Sequence, residues 1–297
     1  MTILVATCFV ATSQVSCCFN RLKNLRKTVI MHFYNEAKML KWWIPHHTEL
    51  FDDGILINHS STDGSVDICR SIAPHWRVID TELTDFNAIE NDLEVMKHEA
   101  TVDGWKMVLN ATEFLVCRPN KLNAILRGLK SENKSCLQTR GVIMVDDKPQ
   151  QIASEQNSLV QQKCHGYIED ERPNHGRKFS SLLDLYYHHQ INSNKRRSRK
   201  GFRNRIIHSH VTGGYEPGRH RTKHNIESIC EPLYTFWYGF SPWEQEMVSR
   251  KQQFKHRIPK ADFKKKMGYH HFWGEAKLQE EYEKHLTKSG DLTYLLT

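Results

Sequence analysis

Four times in its N-terminal part this chain ends an apolar run on side chains able to meet a polar ligand. Asn35-Glu36 follow Thr28–Phe33, Asn58 and Asp63-Gly64-Ser65 follow Gly54–Ile57, Asp80 ends Trp76–Ile79, and Asn110, Thr112 and Glu113 follow Met107–Leu109. Ligands of open α/β sheets bind at the carboxyl ends of strands, where helix N-termini also offer free N–H groups to phosphate. One such junction says little, because Asp, Asn and Ser cap helices everywhere. Four in order describe a polar, anion-tolerant crevice. In the last cluster Asn110 supplies a neutral carbonyl, Thr112 a hydroxyl and Glu113 the one charge. Mg²⁺ and Mn²⁺ prefer hard anionic oxygens, so an ion there needs a further ligand. The bland alternative is an ordinary polar strand end.

The elements that must position these residues alternate. Apolar runs predict strands at 28–33, 54–58, 76–80 and 105–109. Between them, helical patterns run over 37–50, with Pro45 expected to break or kink it, over 66–73, with Ser65 or Asp63 as cap, and over 90–100. This alternation predicts an α/β fold with a mostly parallel sheet flanked by helices. Beyond Lys121 the pattern loosens: a helix at 122–129, a strand at 141–145, a mixed stretch at 180–190, a basic loop at 195–205, and helices at 243–253 and 275–288. The C-terminal part is therefore expected to be α-rich. Residues 1–26 are expected to be an N-terminal extension. Residues 27–297 are expected to form one domain with a nucleotide-binding half, 27–120, and an acceptor-binding half, 121–297.

Charge is distributed unevenly. Residues 1–150 hold 17 Lys and Arg against 18 Asp and Glu, and the remainder 25 against 16, which accounts for the net +8 of the 297-residue chain. The second half thus suits an anionic ligand. At 39% hydrophobic and 26% charged residues, bulk disorder is excluded. None of the eight cysteines forms a C-x-x-C pair, which argues for reduced structural thiols and against structural zinc. The apolar run Met1–Phe19 is interrupted by polar residues and has no basic residue before it, so it reads as neither signal peptide nor spanning segment. The expected location is cytoplasmic, with an N-terminal membrane anchor or a peripheral membrane contact as the lesser alternative.

With these residues in view, the order Tyr34-Asn-Glu, Ser61-Thr-Asp-Gly-Ser and Trp105…Leu109-Asn-Ala-Thr-Glu-Phe-Leu115 resembles the family 2-type glycosyltransferases of GT-A fold. It is most similar to the branch whose motif reads Asp-X-Asp-Glu-Phe. The likeness covers residues 28–116, and more loosely 203–224 and 233–243. It implies a nucleotide-sugar donor, with Asn35, Glu36 and Asn58 lining the nucleoside pocket and Asp63 beside base or ribose. Asn110, Thr112 and Glu113 would face the diphosphate and a divalent ion, Mn²⁺ or Mg²⁺. A late histidine completes the metal sphere in that family; Gly218-Arg219-His220 is the nearest match, so Glu113 and His220 are the implied ligands, with His210 second. Asn110 and Thr112 depart from the motif. Either Glu113 and a histidine hold the ion, or cationic side chains replace it, or the metal site is lost.

Other residues could serve the same chemistry. Arg203 and Arg205 close a run with seven cations in eleven residues, Lys195–Arg205, and arginine forks can neutralise a leaving diphosphate. Trp237 or Trp243 could floor an acceptor sugar, and Tyr269–Phe272 could close over it. An inverting transfer needs a carboxylate base, for which Asp146, Asp147, Glu169, Asp170 and Glu244 are available, and a retaining route stays open. The expected function is glycosyl transfer to a glycan, lipid or small-molecule acceptor. A non-catalytic nucleotide-sugar or glycan binder is the first alternative. A nucleic-acid binder using the basic loop is the second, and nucleic acid is not the expected partner.

Overall fold

The computed structural model describes residues 25–169, 203–219, 221–264 and 268–296. Strand β1 (Lys27–Phe33) is buried along its whole length. Val29, Met31 and Phe33 enter one core cluster and Ile30 another, as expected of a parallel strand covered on both faces. Helix α1 (Ala37–Thr48) leads to β2 (Asp53–Asn58), then α2 (Ser65–Ile72), β3 (Arg77–Asp80), α3 (Ala88–Glu99), β4 (Trp105–Val108) and β5 (Glu113–Val116). Next come α4 (Pro119–Ser131), β6 (Cys136–Val145), the short α5 (Leu159–Gln162), β7 (His165–Ile168), β8 (Ile206–His208) and β9 (Ser228–Phe240). Helices α6 (Gln245–Gln252), α7 (Lys260–Lys264) and α8 (Glu275–Leu286), with β10 (Gly290–Asp291), complete the series.

The strands form one mixed sheet in the order β10-β7-β6-β8-β4-β1-β2-β3, with β9 joining β6 to β5. The run β4-β1-β2-β3 is parallel, and so is β6-β9; β8, β7 and β5 pair antiparallel. The protein is thus α/β, with a parallel central sheet flanked by helices. Leu40, Trp43 and Ile44 of α1, Cys69 of α2 and Leu122 and Leu126 of α4 cover one face, and Val95 of α3 the other. Among the described residues, the α-rich character appears only after Glu244. The described residues of 136–240 contribute four strands instead.

Several boundaries differ from the sequence-based expectation for local reasons. Pro45 neither breaks nor ends α1, because it lies on the exposed side, where the carbonyl it leaves unpaired can be solvated. Helix α2 is entered through Gly64 at φ +81, a left-handed position that favours glycine, and Asp63 Oδ1 accepts the N–H of Ser65, the first residue of the helix, at 3.1 Å. Helix α3 starts two residues before Glu90, at Ala88, because the Asn87 side chain accepts from the N–H groups of Ile89 and Glu90 at 3.0 and 3.1 Å. Strand β9 was an aromatic cluster in the sequence. Tyr234, Phe236 and Tyr238 alternate into the main core, while Trp237 faces the other side, the period of a strand. Gly239 lies so close to Trp237 that an added Cβ would sit 2.1 Å from its ring.

Among the described residues no helix is long and apolar enough to cross a membrane. The expectations for residues 1–24, and for nearly all of the basic loop, lie outside the described residues.

His47 ties α1 to β5. Its Nδ1 meets the Trp43 carbonyl at 2.8 Å, and its Nε2 accepts the Leu115 N–H at 3.2 Å, so both nitrogens are occupied by the neutral ring. Burial, reinforced by neighbouring His46, pushes its pKa well below the usual value. Burial likewise lowers His59 to about 4. A group with a depressed folded pKa contributes stability that is complete above its unfolded value, about 6.5, and is lost on acidification. The two histidines should therefore make stability measured by urea unfolding decline from pH 6.5 toward pH 5. His47→Gln should flatten that decline, and equal stability at pH 7 and pH 5 would overturn the assignment.

Candidate functional site

The ends of β1 and β2 are latched to each other by the polar residues that stand there. Asn35, at φ +49, donates its N–H to Ser61 Oγ at 3.0 Å and accepts the Thr62 N–H on Oδ1 at 2.8 Å. Asn58 accepts the Ser61 N–H at 3.0 Å and donates from Nδ2 to Asp80 at 2.7 Å. Asp63 accepts the Ala37 N–H at 2.9 Å, so it serves the N-terminus of α1. Ser65 Oγ accepts the Glu36 N–H at 2.9 Å. Asn35, Glu36 and Asp63 also line a cavity of about 440 Å³ together with Trp42, Met247 and Arg250. Asn58 is not among its lining residues and faces Asp80.

The Asn110–Glu113 step is where the chain leaves β4 beside β1 and joins β5 beside β9. Asn110 donates its N–H to Glu113 Oε2 at 2.9 Å. Arg205 completes a bidentate pair, Nε to Oε2 at 2.9 Å and Nη2 to Oε1. Glu113 is fully buried and the Arg205 side chain nearly so. Burial opposes ionisation of Glu113, but the charge and hydrogen bonds of Arg205 outweigh it and hold the carboxyl below its ordinary pKa. On the other side, Arg219 donates from Nη2 to Asn110 Oδ1 at 2.5 Å and pairs through Nη1 with Asp92 of α3. Asp92 also accepts the Gly218 N–H at 2.7 Å. Thr112 is buried, and its carbonyl accepts the Tyr238 N–H at 2.8 Å.

This arrangement does not fit a divalent ion. Both oxygens of Glu113 and the Oδ1 of Asn110 are taken by protein donors, and no group of three His, Cys, Asp or Glu among the described residues could hold a metal. His220, the other implied ligand, lies outside the described residues. His210 stacks on His224 with ring centres 3.8 Å apart. Arg205, expected to meet a diphosphate, spends its charge on Glu113 instead. The reason is a long-range ion pair that spacing along the chain does not reveal.

The C-terminal segment lies across the strand ends. Arg250 of α6 pairs with Glu36, Gln253 donates to the Tyr34 carbonyl at 3.0 Å, and Arg257 donates to the His59 carbonyl at 2.5 Å. Phe254 packs on Phe86 at 4.3 Å and Tyr34 at 5.5 Å. Residues 250–257 were not anticipated as part of the site. Next to this strap, Arg203 stacks on Trp237, its guanidinium carbon 3.6 Å from the ring centre. Trp243 stacks parallel on Tyr282 at 4.5 Å and so is engaged within the protein. Of the candidate bases, Asp146 is buried against Lys163 at 2.8 Å, Glu244 pairs with Lys38, and Glu169 accepts the Arg203 N–H at 2.7 Å. Asp170 lies outside the described residues.

No protein-family model matches this chain, and no curated protein matches it. Among solved structures it is similar to residues 1–349 of TarS from S. aureus in complex with UDP-GlcNAc, at 11% identity and a TM-score of 0.40, over 78% of this chain and 64% of that one. It is also similar to glucosyl-3-phosphoglycerate synthase from Mycobacterium tuberculosis in complex with Mn²⁺, UDP and glucosyl-3-phosphoglycerate, at 15% identity and a TM-score of 0.30, over 39% of this chain and 44% of that one. The match to the UDP complex of TarS 1–349 has 13% identity, a TM-score of 0.32 and covers 41% of this chain and 36% of that one. In each case the chain spans less than two thirds of the matched structure.

Removing one partner of a fully buried ion pair strands the other charge, at a cost of about 3–5 kcal/mol. Glu113→Gln and Arg205→Met should each lower stability by about that much, and the double variant by clearly less than their sum. Added Mn²⁺ should leave the thermal midpoint of the wild-type protein unchanged. A Mn²⁺-dependent rise that Glu113→Gln abolishes would restore Glu113 as a ligand.

Proposed function

We propose that this protein is a glycosyltransferase of GT-A type that takes a sugar from a nucleotide-diphosphate donor and uses cationic side chains in place of a divalent ion. The observation that carries this reading is the charge balance of the crevice. Glu36, Asp92 and Glu113 are each ion-paired to an arginine, and Arg203 and Lys251 beside them form no side-chain ion pair among the described residues. Such a site attracts a diphosphate without first recruiting a metal, and fixed cations stabilise the negative charge that grows on the leaving group. The donor would lie along the strand ends, its nucleoside toward Asn35, Glu36 and Asp63 and its diphosphate toward Asn110. Transfer would be direct, to an acceptor hydroxyl of a glycan, lipid or small molecule.

A second reading is a nucleotide-sugar binder that performs no transfer. It is favoured by the engagement of Glu36, Glu113, Asp146 and Glu244 in ion pairs, since a general base must be free to take the acceptor proton. Calorimetry with UDP- and GDP-sugars in EDTA, followed by chromatography of the donor, separates the readings. Binding in EDTA with slow release of the nucleoside diphosphate is expected. An absolute requirement for Mn²⁺ would overturn the metal-free mechanism, and tight binding with an intact donor would establish the binder.

A further inference from the structure

The cations around the crevice fall into two groups. Arg205, Arg219 and Arg250 each meet a carboxylate. Arg203 and Lys251 form no side-chain ion pair among the described residues, although the charges of Glu113 and Glu169 act on Arg203, and the two cations share one aromatic surface. The Arg203 guanidinium carbon lies 3.6 Å from the ring centre of Trp237, and among the described residues its backbone N–H donates to the Glu169 carboxylate at 2.7 Å. Lys251 Nζ stands 4.3 Å from the ring centre of Phe240 and 5.4 Å from that of Trp237. Arg203, Trp237 and Lys251 each keep part of their residue surface exposed. Trp237 pairs in register with Glu113, which places this surface one strand away from the Asn110–Glu113 step.

Ring faces compensate cations only in part, and two like charges on one surface repel. An anion between them removes the repulsion. A stacked guanidinium presents its N–H edge as a planar fork that matches two phosphate oxygens, and the ammonium adds a compact point charge. We propose that Arg203 and Lys251, floored by Trp237, form a phosphate-binding subsite. If the phosphate belongs to the donor diphosphate, the subsite rests on the function proposed above; a phosphorylated acceptor would present the same chemistry.

The surroundings give the subsite a pH signature. Burial, and then the charges of Arg250 and Arg203, lower the Lys251 pKa to about 7. The other titratable groups here are Glu169, whose carboxylate accepts the Arg203 N–H at 2.7 Å, His271, whose Nδ1 meets the Lys251 carbonyl at 2.7 Å, His285, which packs on Phe240 at 4.5 Å, and Tyr167, bonded to His285 at 2.7 Å. Both histidines have pKa values of about 4, lowered chiefly by burial, and Tyr167 is raised to about 12, also by burial. None of these three changes charge between pH 6 and 9. Lys251 is cationic below pH 7 and neutral above, so phosphate affinity falls as pH rises through that value.

Calorimetric titration of the full chain with pyrophosphate, UDP and glucose 6-phosphate at pH 6.5 and 8.5 tests this. Wild-type protein should bind pyrophosphate about tenfold more weakly at pH 8.5, and Arg203→Gln and Lys251→Met should each weaken binding at pH 6.5 by about tenfold or more. Lys251→Arg, always charged, should retain binding and lose the pH dependence. Thermal midpoints within a few degrees of wild type establish that the variants fold. Unchanged affinity in both charge-removing variants, or no wild-type affinity for any of the three compounds, overturns the subsite. UDP binding that ignores both residues overturns the subsite and leaves the donor reading standing. Glucose 6-phosphate binding that needs both residues, with no UDP binding, supports the subsite and overturns the donor reading.

Discussion

The Glu113–Arg205 ion pair sits at the seam on which this sheet depends. Glu113 begins β5, which pairs with β9, while Arg205 leads into β8, which pairs with both β4 and β6. Transferring two charges into the interior costs several kcal/mol each, and the cost is offset only where geometry and hydrogen bonding are complete. Here they are. The carboxylate receives Arg205 Nε, Arg205 Nη2 and the Asn110 N–H, and the Glu113 carbonyl accepts Trp43 Nε1 at 2.8 Å. One acid thus fixes the turn out of β4, the start of β5 and the seat of α1. What it gains in definition it loses as a ligand.

The same logic orders the rest of the crevice. Arg219, itself at φ +59, joins α3 to the turn through Asp92 and Asn110. Arg250 joins the C-terminal strap to the start of α1 through Glu36. Successive helical residues point about 100° apart, so neighbouring Arg250 and Lys251 serve different walls: one closes an ion pair at the end of β1, the other reaches the aromatic face of β9. A single turn of α6 therefore couples the closed, neutralised side of the crevice to the side where positive charge is left over.

Much of the scaffold was legible in the chain. The runs 28–33, 54–58 and 105–109 are apolar because their strands are covered on both faces, and such a requirement is written locally. The polar junctions were legible too, since loops that latch strand ends need Asn, Asp and Ser with side chains that bond to backbone. The identity of the partners was not. Glu113 and Arg205 are separated by 92 positions and Glu36 and Arg250 by 214, and no periodicity connects them. Without those partners Glu113 resembles a free carboxylate at a strand end. The strap over β1 and β2 was missed for the same reason, because its contacts are carbonyls and ring faces that any basic or aromatic residue could have supplied. Strand β9 is a different case: its alternation was present, and the aromatic composition drew attention away from it.

Asn110, Thr112 and the arginines around them form one physical arrangement. An aspartate at 110 would lie against Arg219, already bonded at 2.5 Å to the amide there, and would become an ion-pair partner before it became a metal ligand. An aspartate at 112 would place a carboxylate at a buried position whose backbone already serves β9. Neutral side chains at both positions keep the turn free of unpaired negative charge once Arg205 has been committed to Glu113. Positive charge near the crevice is then free to act from outside the turn, on the aromatic surface of β9, instead of through an ion held within it.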